Sequence, residues 1–371
     1  MSRIFVALLA FAAALHAQAQ EYRIVGYAGG RDAGDTWDAG KVDTLIFSFA
    51  KVAGGEVVLD ADAKSRLHEL LALKAGHPQL HVSISVGGWG AGGFSEAAAT
   101  AQSRRRFARS AAALLRAEHA DGLDVDWEYP GHHESGIASS EHDRENFTAL
   151  LAETRAALDD ASAQERRAAA DRYRLSIAVA DAEFVDHVDI AAVDAQIDWF
   201  NLMTYDFVNA MTPTTGHHSG LYASAWAPAT ARTGERAVKQ FLAAGVAPRK
   251  LFLGAAFYGR EFDGVDPAHD GVYQRFGSFV GYRGWKKLKQ DYIDRQGYVR
   301  RWDADAHAPF LWNKSTRRFV SYEDAQSLRE KIAFVRSNRL GGVMYWEQGE
   351  DPEGELLQVL WRGLSAASGN P

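Results

Sequence analysis

The sequence predicts an α/β fold, a closed (β/α)8 barrel of eight parallel strands with a small α+β insertion after strand seven. Short runs of β-branched and aromatic residues alternate with longer helical patterns along the chain. The length of 371 residues and the hydrophobic fraction of 47% suit one large globular domain or two ordinary ones. A doubly wound open sheet is the competing fold, but no glycine-rich nucleotide loop follows the first predicted strand.

The predicted elements follow one another in barrel order. Strand-like segments occur at residues 23–27, 44–50, 81–87, 122–129, 174–180, 199–206, 250–258 and 342–346. Helical patterns lie between them at residues 61–75, 97–118, 144–158, 234–244 and 325–337. Residues 321–324 form a capping arrangement before the last of these helices. Eight strands, each followed by a helix, predict a closed TIM barrel.

One connection does not fit this alternation. The segment between Tyr258 and Ser321 is rich in aromatic and basic residues and has no long helical period. Its many aromatic side chains need burial or a ligand, so a disordered loop is disfavoured. Strand-like pieces at residues 272–276, 298–302 and 310–312 predict an α+β insertion, which we assign to residues 261–320.

The first residues have the pattern of an export signal. Arg3 precedes an apolar run at residues 4–15, and residues 17–19 fit a small-x-small cleavage site. We expect a signal peptide over residues 1–19, cleavage after Ala19, a secreted or periplasmic protein over residues 20–371 and no membrane association afterwards. The formal net charge of −7 argues against nucleic acid as a partner, and without cysteine the fold must depend on its core.

Residues 121–129 contain the most informative pattern, because carboxylates recur at every second position: Asp124, Asp126 and Glu128. In a strand these side chains share one face, and the opposite, apolar face consists of Leu123, Val125, Trp127 and Tyr129. If the apolar face packs against the rest of the protein, the carboxylates are held close together on the opposite face. Neighbouring negative charges then resist joint ionisation and desolvation. A metal, a shared proton or a catalytic task would exploit such an arrangement, so these residues are predicted to form a site.

Position along the strand suggests a role for each carboxylate. Barrel enzymes place their chemistry at the C-terminal ends of strands, so Asp124 would lie deepest and Glu128 at the rim. Glu128 is therefore the natural proton donor, and the two aspartates can share a proton and raise its pKa. The spacing alone also permits a metal site. Barrel metals recruit ligands from several strands, however, and few His or Asp residues stand at the other strand ends, so no metal or cofactor is predicted.

Aromatic residues recur near the predicted strand ends: Tyr27, Phe49, Trp89, Tyr205, Tyr258 and Trp346. On strand six, alternation places Met203 on the same face as Tyr205, and Asp206 follows at the strand end. Any one of these side chains can belong to the core. Together they favour a carbohydrate cleft, because the apolar face of a sugar ring packs against a planar indole in a polar, carboxylate-lined site.

These motifs together resemble those of glycoside hydrolase family 18, the chitinases and their relatives. The resemblance covers nearly the whole mature chain and consists of five motifs in the family's order, at residues 85–88, 121–128, 203–206, 258–260 and 341–346. The insertion stands where many members of that family carry a chitin-insertion domain. The resemblance therefore implies a family 18 catalytic barrel over residues 20–371, interrupted by a chitin-insertion domain at residues 261–320.

The resemblance also implies a mechanism, a retaining hydrolysis assisted by the substrate's own 2-acetamido group. Glu128 would protonate the leaving oxygen, Asp126 would orient the acetamido group, and Asp124 beneath it would share a proton. Tyr205 would hydrogen-bond to the acetamido carbonyl. The substrate-binding residues implied by the resemblance or by the aromatic pattern are Tyr27, Phe49, Trp89, Tyr129, Met203, Asp206, Tyr258, Arg260 and Trp346.

Several points remain open at the level of sequence. The expected partner is chitin or a chito-oligosaccharide bound by a monomer, but peptidoglycan fragments and the chitobiose core of N-glycans also place an acetamido group next to the scissile bond. A non-catalytic chitin-binding lectin on the same barrel is a further alternative, although such proteins typically lack the acid. His217 and His218 lie in a glycine-containing loop and are predicted to be surface residues rather than ligands.

Overall fold

Eight parallel strands close a barrel in the computed structural model, which describes residues 22–365. The strands in chain order are β1 (Arg23–Ala28), β2 (Thr44–Ala53), β3 (Glu56–Val58), β4 (His81–Gly87), β5 (Gly122–Asp126), β6 (Arg174–Val179), β7 (Trp199–Leu202), β8 (Leu251–Ala256), β9 (Tyr258–Asp263), β10 (Ser278–Gly284), β11 (Val299–Asp303), β12 (Ala308–Asn313), β13 (Arg318–Ser321) and β14 (Gly342–Trp346). The barrel order is β1, β14, β8, β7, β6, β5, β4 and β2, and β1 pairs with β2 to complete the ring. The predicted (β/α)8 barrel is confirmed.

Helices surround the barrel at most of the predicted places. They are α1 (Ala61–Ala72), α2 (Phe94–Ala98), α3 (Ala101–Glu118), α4 (Asp143–Gln164), α5 (Ile190–Asp194), α6 (Gly234–Ala243), α7 (Trp285–Lys287), α8 (Ala325–Ser337) and α9 (Glu355–Ser365). The single helix predicted over residues 97–118 is wrong, because Thr100 adopts extended backbone and caps α3 separately from α2. The expectation of a helix after every strand is also wrong, since only the 3-10 turn Ala39–Lys41 follows β1 in a segment rich in Gly and Asp.

Three barrel strands end two or more residues earlier than predicted. β5 ends at Asp126 rather than at residue 129, β7 ends at Leu202 rather than at residue 206, and β8 ends at Ala256. In each case the parallel ladder with the neighbouring strands stops near this point. Side chains beyond it therefore project from the top of the barrel without the strict alternation of a strand.

The insertion is an antiparallel sheet in the order β10, β9, β13, β12 and β11. The predicted pieces at residues 298–302 and 310–312 lie in β11 and β12, but the strand predicted at residues 272–276 is wrong. Tyr273 has a φ of 53°, which a strand cannot accommodate, and Gln274 bonds to the Thr215 loop instead. The sheet has its own apolar cluster, which includes Phe262, Phe310 and Phe319.

The ends of the chain lie outside the described residues, and they include the predicted signal peptide at residues 1–19. Within residues 22–365, no helix has the length and apolar character that crossing a bilayer requires.

A buried ion pair joins the barrel to the start of α8. Lys331 and Glu323 are 1% and 2% exposed, and Lys331 Nζ lies 2.7 Å from Glu323 Oε1. The same oxygen accepts a hydrogen bond of 2.8 Å from the backbone N–H of Ala256, the last residue of β8. Glu323 thus connects the end of a barrel strand to the helix that follows the insertion.

Replacing Lys331 by Met should lower the free energy of unfolding by about 3–5 kcal/mol, because a buried Glu323 would lose its only cationic partner within residues 22–365. Lys239→Met is the matched control, since Lys239 pairs with Glu235 at the same distance of 2.7 Å on an exposed helix face. The free energy of unfolding of that variant should fall by at most about 1 kcal/mol. Urea unfolding followed by circular dichroism measures the free energy of unfolding of both variants. Equal decreases in the two variants would contradict a special contribution from the buried pair.

Candidate active site

A cleft of about 950 Å³ opens at the C-terminal ends of the barrel strands. Of the residues predicted to form the site, all but Asp124 line it: Tyr27, Phe49, Trp89, Asp126, Glu128, Tyr129, Met203, Tyr205, Asp206, Tyr258, Arg260 and Trp346. Asp124 lies beneath the cleft and is fully buried. The structure therefore brings these residues together at the face of the barrel where chemistry is expected.

Asp124 is held by donors from four other strands. Its Oδ1 accepts hydrogen bonds from Ser176 at 2.6 Å and Asn201 at 3.1 Å. Its Oδ2 accepts from Ser85 at 2.8 Å and from the Tyr27 hydroxyl at 2.9 Å. Burial raises the pKa of Asp124, and the four hydrogen bonds limit that rise. Asp124 is thus a fixed group in the barrel interior, below the cleft.

Asp126 lies one step higher and is 4% exposed. Its Oδ1 has no hydrogen-bond partner within the described part of the chain. Burial raises the pKa of Asp126 well above its usual range, and the charges of Glu128 and Asp124 raise it further. Asp126 can therefore hold a proton, and its side chain borders the cleft.

Glu128 stands half-buried in the cleft wall. Burial raises the pKa of Glu128 to about 7, a hydrogen bond from Tyr129 opposes the rise, and the charge of Asp206 adds to it. At neutral pH a large share of Glu128 carboxyl groups is therefore protonated. A carboxylic acid with a pKa near the working pH can donate a proton and later accept one.

Asp206 has the opposite electrostatic environment. Arg260 donates two hydrogen bonds to it, from Nε at 2.7 Å and from Nη2 at 2.5 Å, and His218 Nδ1 lies at 3.6 Å. Burial raises the pKa of Asp206, but His218 and Arg260 outweigh it and hold that pKa well below the usual range. The cleft thus contains a carboxylate that stays ionised, Asp206, and an acid that is partly protonated at neutral pH, Glu128, which is a typical division for acid–base chemistry.

Aromatic rings form the floor of the cleft. Trp346 stacks on Phe49 with ring centroids 5.6 Å apart and lies 5.6 Å from Tyr27. Tyr258 forms a T-shaped contact with Tyr205 at 6.1 Å. Burial raises the pKa of Tyr205 well above its usual range, so its hydroxyl stays neutral and can donate a hydrogen bond. This combination of flat apolar rings and a few fixed polar groups suits a sugar.

Three sequence-based placements need correction. Tyr129 does not continue the apolar face of β5, because the strand has ended; its ring lines the cleft and lies 6.2 Å from Trp89. His217 and His218 are not surface residues, since they are 3% and 0% exposed. The insertion covers their loop, and His217 Nε2 lies 2.9 Å from Asp303 of β11.

The structure also adds residues that the sequence did not single out. Phe279 and Tyr282 come from β10 of the insertion, and Phe184, Phe207 and Arg232 come from loops after β6 and β7. The only sequence signal for Phe279 and Tyr282 was the density of aromatic residues in the insertion. Across residues 22–365, no group of three or more His, Asp or Glu side chains converges in a way that could hold a metal ion.

Comparison with known proteins agrees with this geometry. The profile of the family described as Glycosyl hydrolases family 18 matches residues 23–351. The chain belongs to this family. A solved family 18 N-acetylglucosaminidase from Paenibacillus barengoltzii has a TM-score of 0.87 and 37% identity, and the match covers 92% of this chain and 99% of that one.

Curated relatives of this family 18 chain have similar sequences. Chitinase A1 of Niallia circulans is 37% identical over 349 residues, which cover 88% of this chain and 46% of that protein. Chitinase B of Serratia marcescens is 30% identical over 368 residues, covering 83% of this chain and 72% of that protein. The chain thus spans less than half the length of the first relative, and the family resemblance implied by its motifs is confirmed.

Proposed function

We propose that the chain is an exported chitinase, which hydrolyses β-1,4-linked N-acetylglucosamine polymers or oligomers with Glu128 as acid and base. The observation that carries this proposal is the position of Glu128. It has a pKa of about 7 in the wall of an aromatic cleft, with Asp126 deeper in the same line of carboxylates. The named chitinases among the relatives support the same substrate class.

The first step is proton donation to the leaving oxygen. A large share of Glu128 holds its proton at neutral pH because burial disfavours its charge. As the bond between the sugar C1 and the glycosidic oxygen breaks, the proton of Glu128 passes to that oxygen. The leaving sugar then departs as a neutral alcohol, which lowers the barrier.

The nucleophile in this proposal is the carbonyl oxygen of the substrate's own acetamido group, which forms a bond to C1 as the glycosidic bond breaks. Asp126, which lines the cleft below Glu128, accepts a hydrogen bond from the acetamido N–H. The buried hydroxyl of Tyr205 donates to the carbonyl oxygen. Water then attacks C1 from the face that the leaving sugar vacated, and the bond between C1 and the acetamido oxygen breaks. Glu128 takes a proton from the water, and the configuration is retained.

The remaining residues support this sugar. Asp124 stabilises a proton on Asp126 from below, because two buried carboxylates in one line resist joint ionisation. The indole of Trp346 lies under the apolar face of the ring, and Asp206 contacts its hydroxyl groups. Arg260 keeps Asp206 ionised and in place through two hydrogen bonds of 2.7 and 2.5 Å.

Charge favours chitin over peptidoglycan as the substrate. The cleft wall contains Glu134 and Glu183 in addition to the carboxylates already described. Both arginines of the wall, Arg232 and Arg260, are already paired with aspartates. An uncharged N-acetylglucosamine chain meets no repulsion there, whereas the lactyl carboxylate of muramic acid does.

Glu128→Gln should lower kcat on a nitrophenyl chitobioside by about 10²- to 10⁴-fold, because the amide has no acidic proton to give. The melting temperature and the affinity for chito-oligosaccharides should stay close to those of the parent protein. A dinitrophenyl glycoside, whose leaving group needs little protonation, should recover part of the rate. Near-normal turnover of the first substrate would contradict the assignment of Glu128.

Activity should fall as the pH rises through about 7, because proton donation requires the protonated form of a group whose pKa is raised to about 7. The measurement is kcat/KM for the nitrophenyl chitobioside between pH 5 and 9, with the melting temperature recorded at each pH to exclude unfolding. The dinitrophenyl substrate serves as the control and should show a flatter alkaline limb. An alkaline limb of equal steepness for both substrates would show that another group controls it.

Cello-oligosaccharides should not be cleaved, since a hydroxyl at C2 provides no nucleophile in place of the acetamido carbonyl. The test compares product release from cellotetraose and chitotetraose at equal concentrations. Efficient hydrolysis of cellotetraose would rule out substrate assistance while leaving a role for Glu128 intact.

A further inference from the structure

Arg232 lines the cleft but has no part in the chemistry described above. Its Nε donates a hydrogen bond of 2.8 Å to Oδ1 of Asp181, and its Nη2 donates to the same oxygen. Asp181 is 3% exposed and lies just beyond the end of β6. Nη1 of Arg232 has no hydrogen-bond partner among residues 22–365, so it is available to a ligand in the cleft.

Two aromatic rings fix the guanidinium of Arg232. Its Cζ lies 4.9 Å from the ring centroid of Phe184 and 4.9 Å from that of Phe207. A planar guanidinium held by two rings and a buried carboxylate loses little conformational freedom when it binds. The arrangement is therefore a rigid hydrogen-bond donor, in contrast to a mobile surface arginine.

The barrel order places Arg232 on the leaving-group side of the scissile bond. β5, which leads to Glu128, is diametrically opposite β14, which ends in Trp346, and β6 is next to β5. In the proposed mechanism the reacting sugar lies over Trp346, and Glu128 must touch the glycosidic oxygen. The leaving sugar consequently lies near the loops beyond Glu128, where the ring of Phe184 lies 5.0 Å from that of Tyr129.

The surrounding charges define the chemistry that Arg232 can recognise. Asp181 already balances its charge, and Glu134 and Glu183 add negative charge to the same wall. An anionic ligand is therefore disfavoured. A neutral oxygen, such as a sugar hydroxyl or an acetamido carbonyl, can accept from Nη1 without electrostatic cost.

We propose that Arg232 is a specificity-determining residue, whose Nη1 donates a hydrogen bond to a hydroxyl or acetamido oxygen of the sugar on the leaving-group side. This inference rests on the proposed function, because it presumes that the reacting sugar lies over Trp346. The enzyme then selects a saccharide leaving group over an aromatic one that offers no such oxygen.

The test compares chitotetraose, cleaved into two chitobiose units, with nitrophenyl chitobioside. Both substrates place chitobiose on the side of the reacting sugar and differ only in the leaving group. In Arg232→Met, the ratio of kcat/KM for chitotetraose to kcat/KM for the nitrophenyl substrate should fall about 10- to 100-fold, as expected for the loss of a charged donor. Arg116→Met is the control, because Arg116 is an exposed arginine of α3 that pairs with Glu165 at 3.0 Å and does not line the cleft. The kcat/KM ratio of this variant should match that of the parent protein.

An unchanged ratio, whether both rates fall equally or neither falls, would overturn the proposal. Arg232 would then only stabilise the packing of Asp181 and the two aromatic rings. If the Met variant does not fold, Arg232→Lys decides, since its single nitrogen can pair with Asp181 but cannot at the same time occupy the position of Nη1. In Arg232→Lys, the ratio of kcat/KM for chitotetraose to kcat/KM for the nitrophenyl substrate should fall at least about threefold, and an unchanged ratio would overturn the proposal. Failure of the proposed function itself is distinguishable, because the parent protein would then hydrolyse neither substrate.

Discussion

The burial of Asp124 is the constraint on which the site depends. A carboxyl group in the interior of a barrel is tolerated only if its oxygens are hydrogen-bonded, and here the donors come from β1, β4, β6 and β7. Those donors fix the height and rotation of β5 relative to its neighbours. Asp126 and Glu128 follow on the same side of the chain, so the hydrogen bonds of one buried group set the positions of the two that face the cleft. Of the other barrel-filling side chains, Val25 and Phe252 are apolar. Trp199 donates its indole N–H to Asn201 Oδ1 at 2.9 Å, which leaves the Asn201 amide N–H group for Asp124.

The insertion contributes to the electrostatics of the barrel rather than only to the depth of the cleft. Arg260 belongs to β9 of the insertion, yet it holds Asp206, which follows β7 of the barrel, in its ionised form. That negative charge is one of the causes that keep Glu128 protonated near neutral pH. The acid strength of the proposed proton donor is therefore linked to the docking of the insertion sheet, and a shift of β9 would alter the chemistry without touching Glu128.

Sequence patterns identified most of the barrel and the centre of the site for physical reasons that are local. Two-residue alternation with β-branched side chains marks parallel strands, and the carboxylate spacing at residues 124–128 is visible in a single strand. The errors in and around the site concern interactions between distant segments. Nothing near His217 and His218 in the chain reveals that the insertion covers them, and the early end of β5 depends on where β4 and β6 stop pairing. Arg232 could not be recognised for the same reason, because its partners Asp181, Phe184 and Phe207 come from other loops.

The insertion enters and leaves the barrel at one place. Arg260 of β9 pairs with Ser321 of β13, and Glu323, just after β13, accepts a hydrogen bond from the N–H of Ala256 at the end of β8. The two chain crossings are thus held next to each other whatever lies between them. Since the entropy of closing a loop grows only slowly with its length, segments of very different size could occupy this position while the barrel strands keep their register. The depth of the binding groove is in this sense a modular property, one that evolution or a protein engineer can exchange as a single cassette.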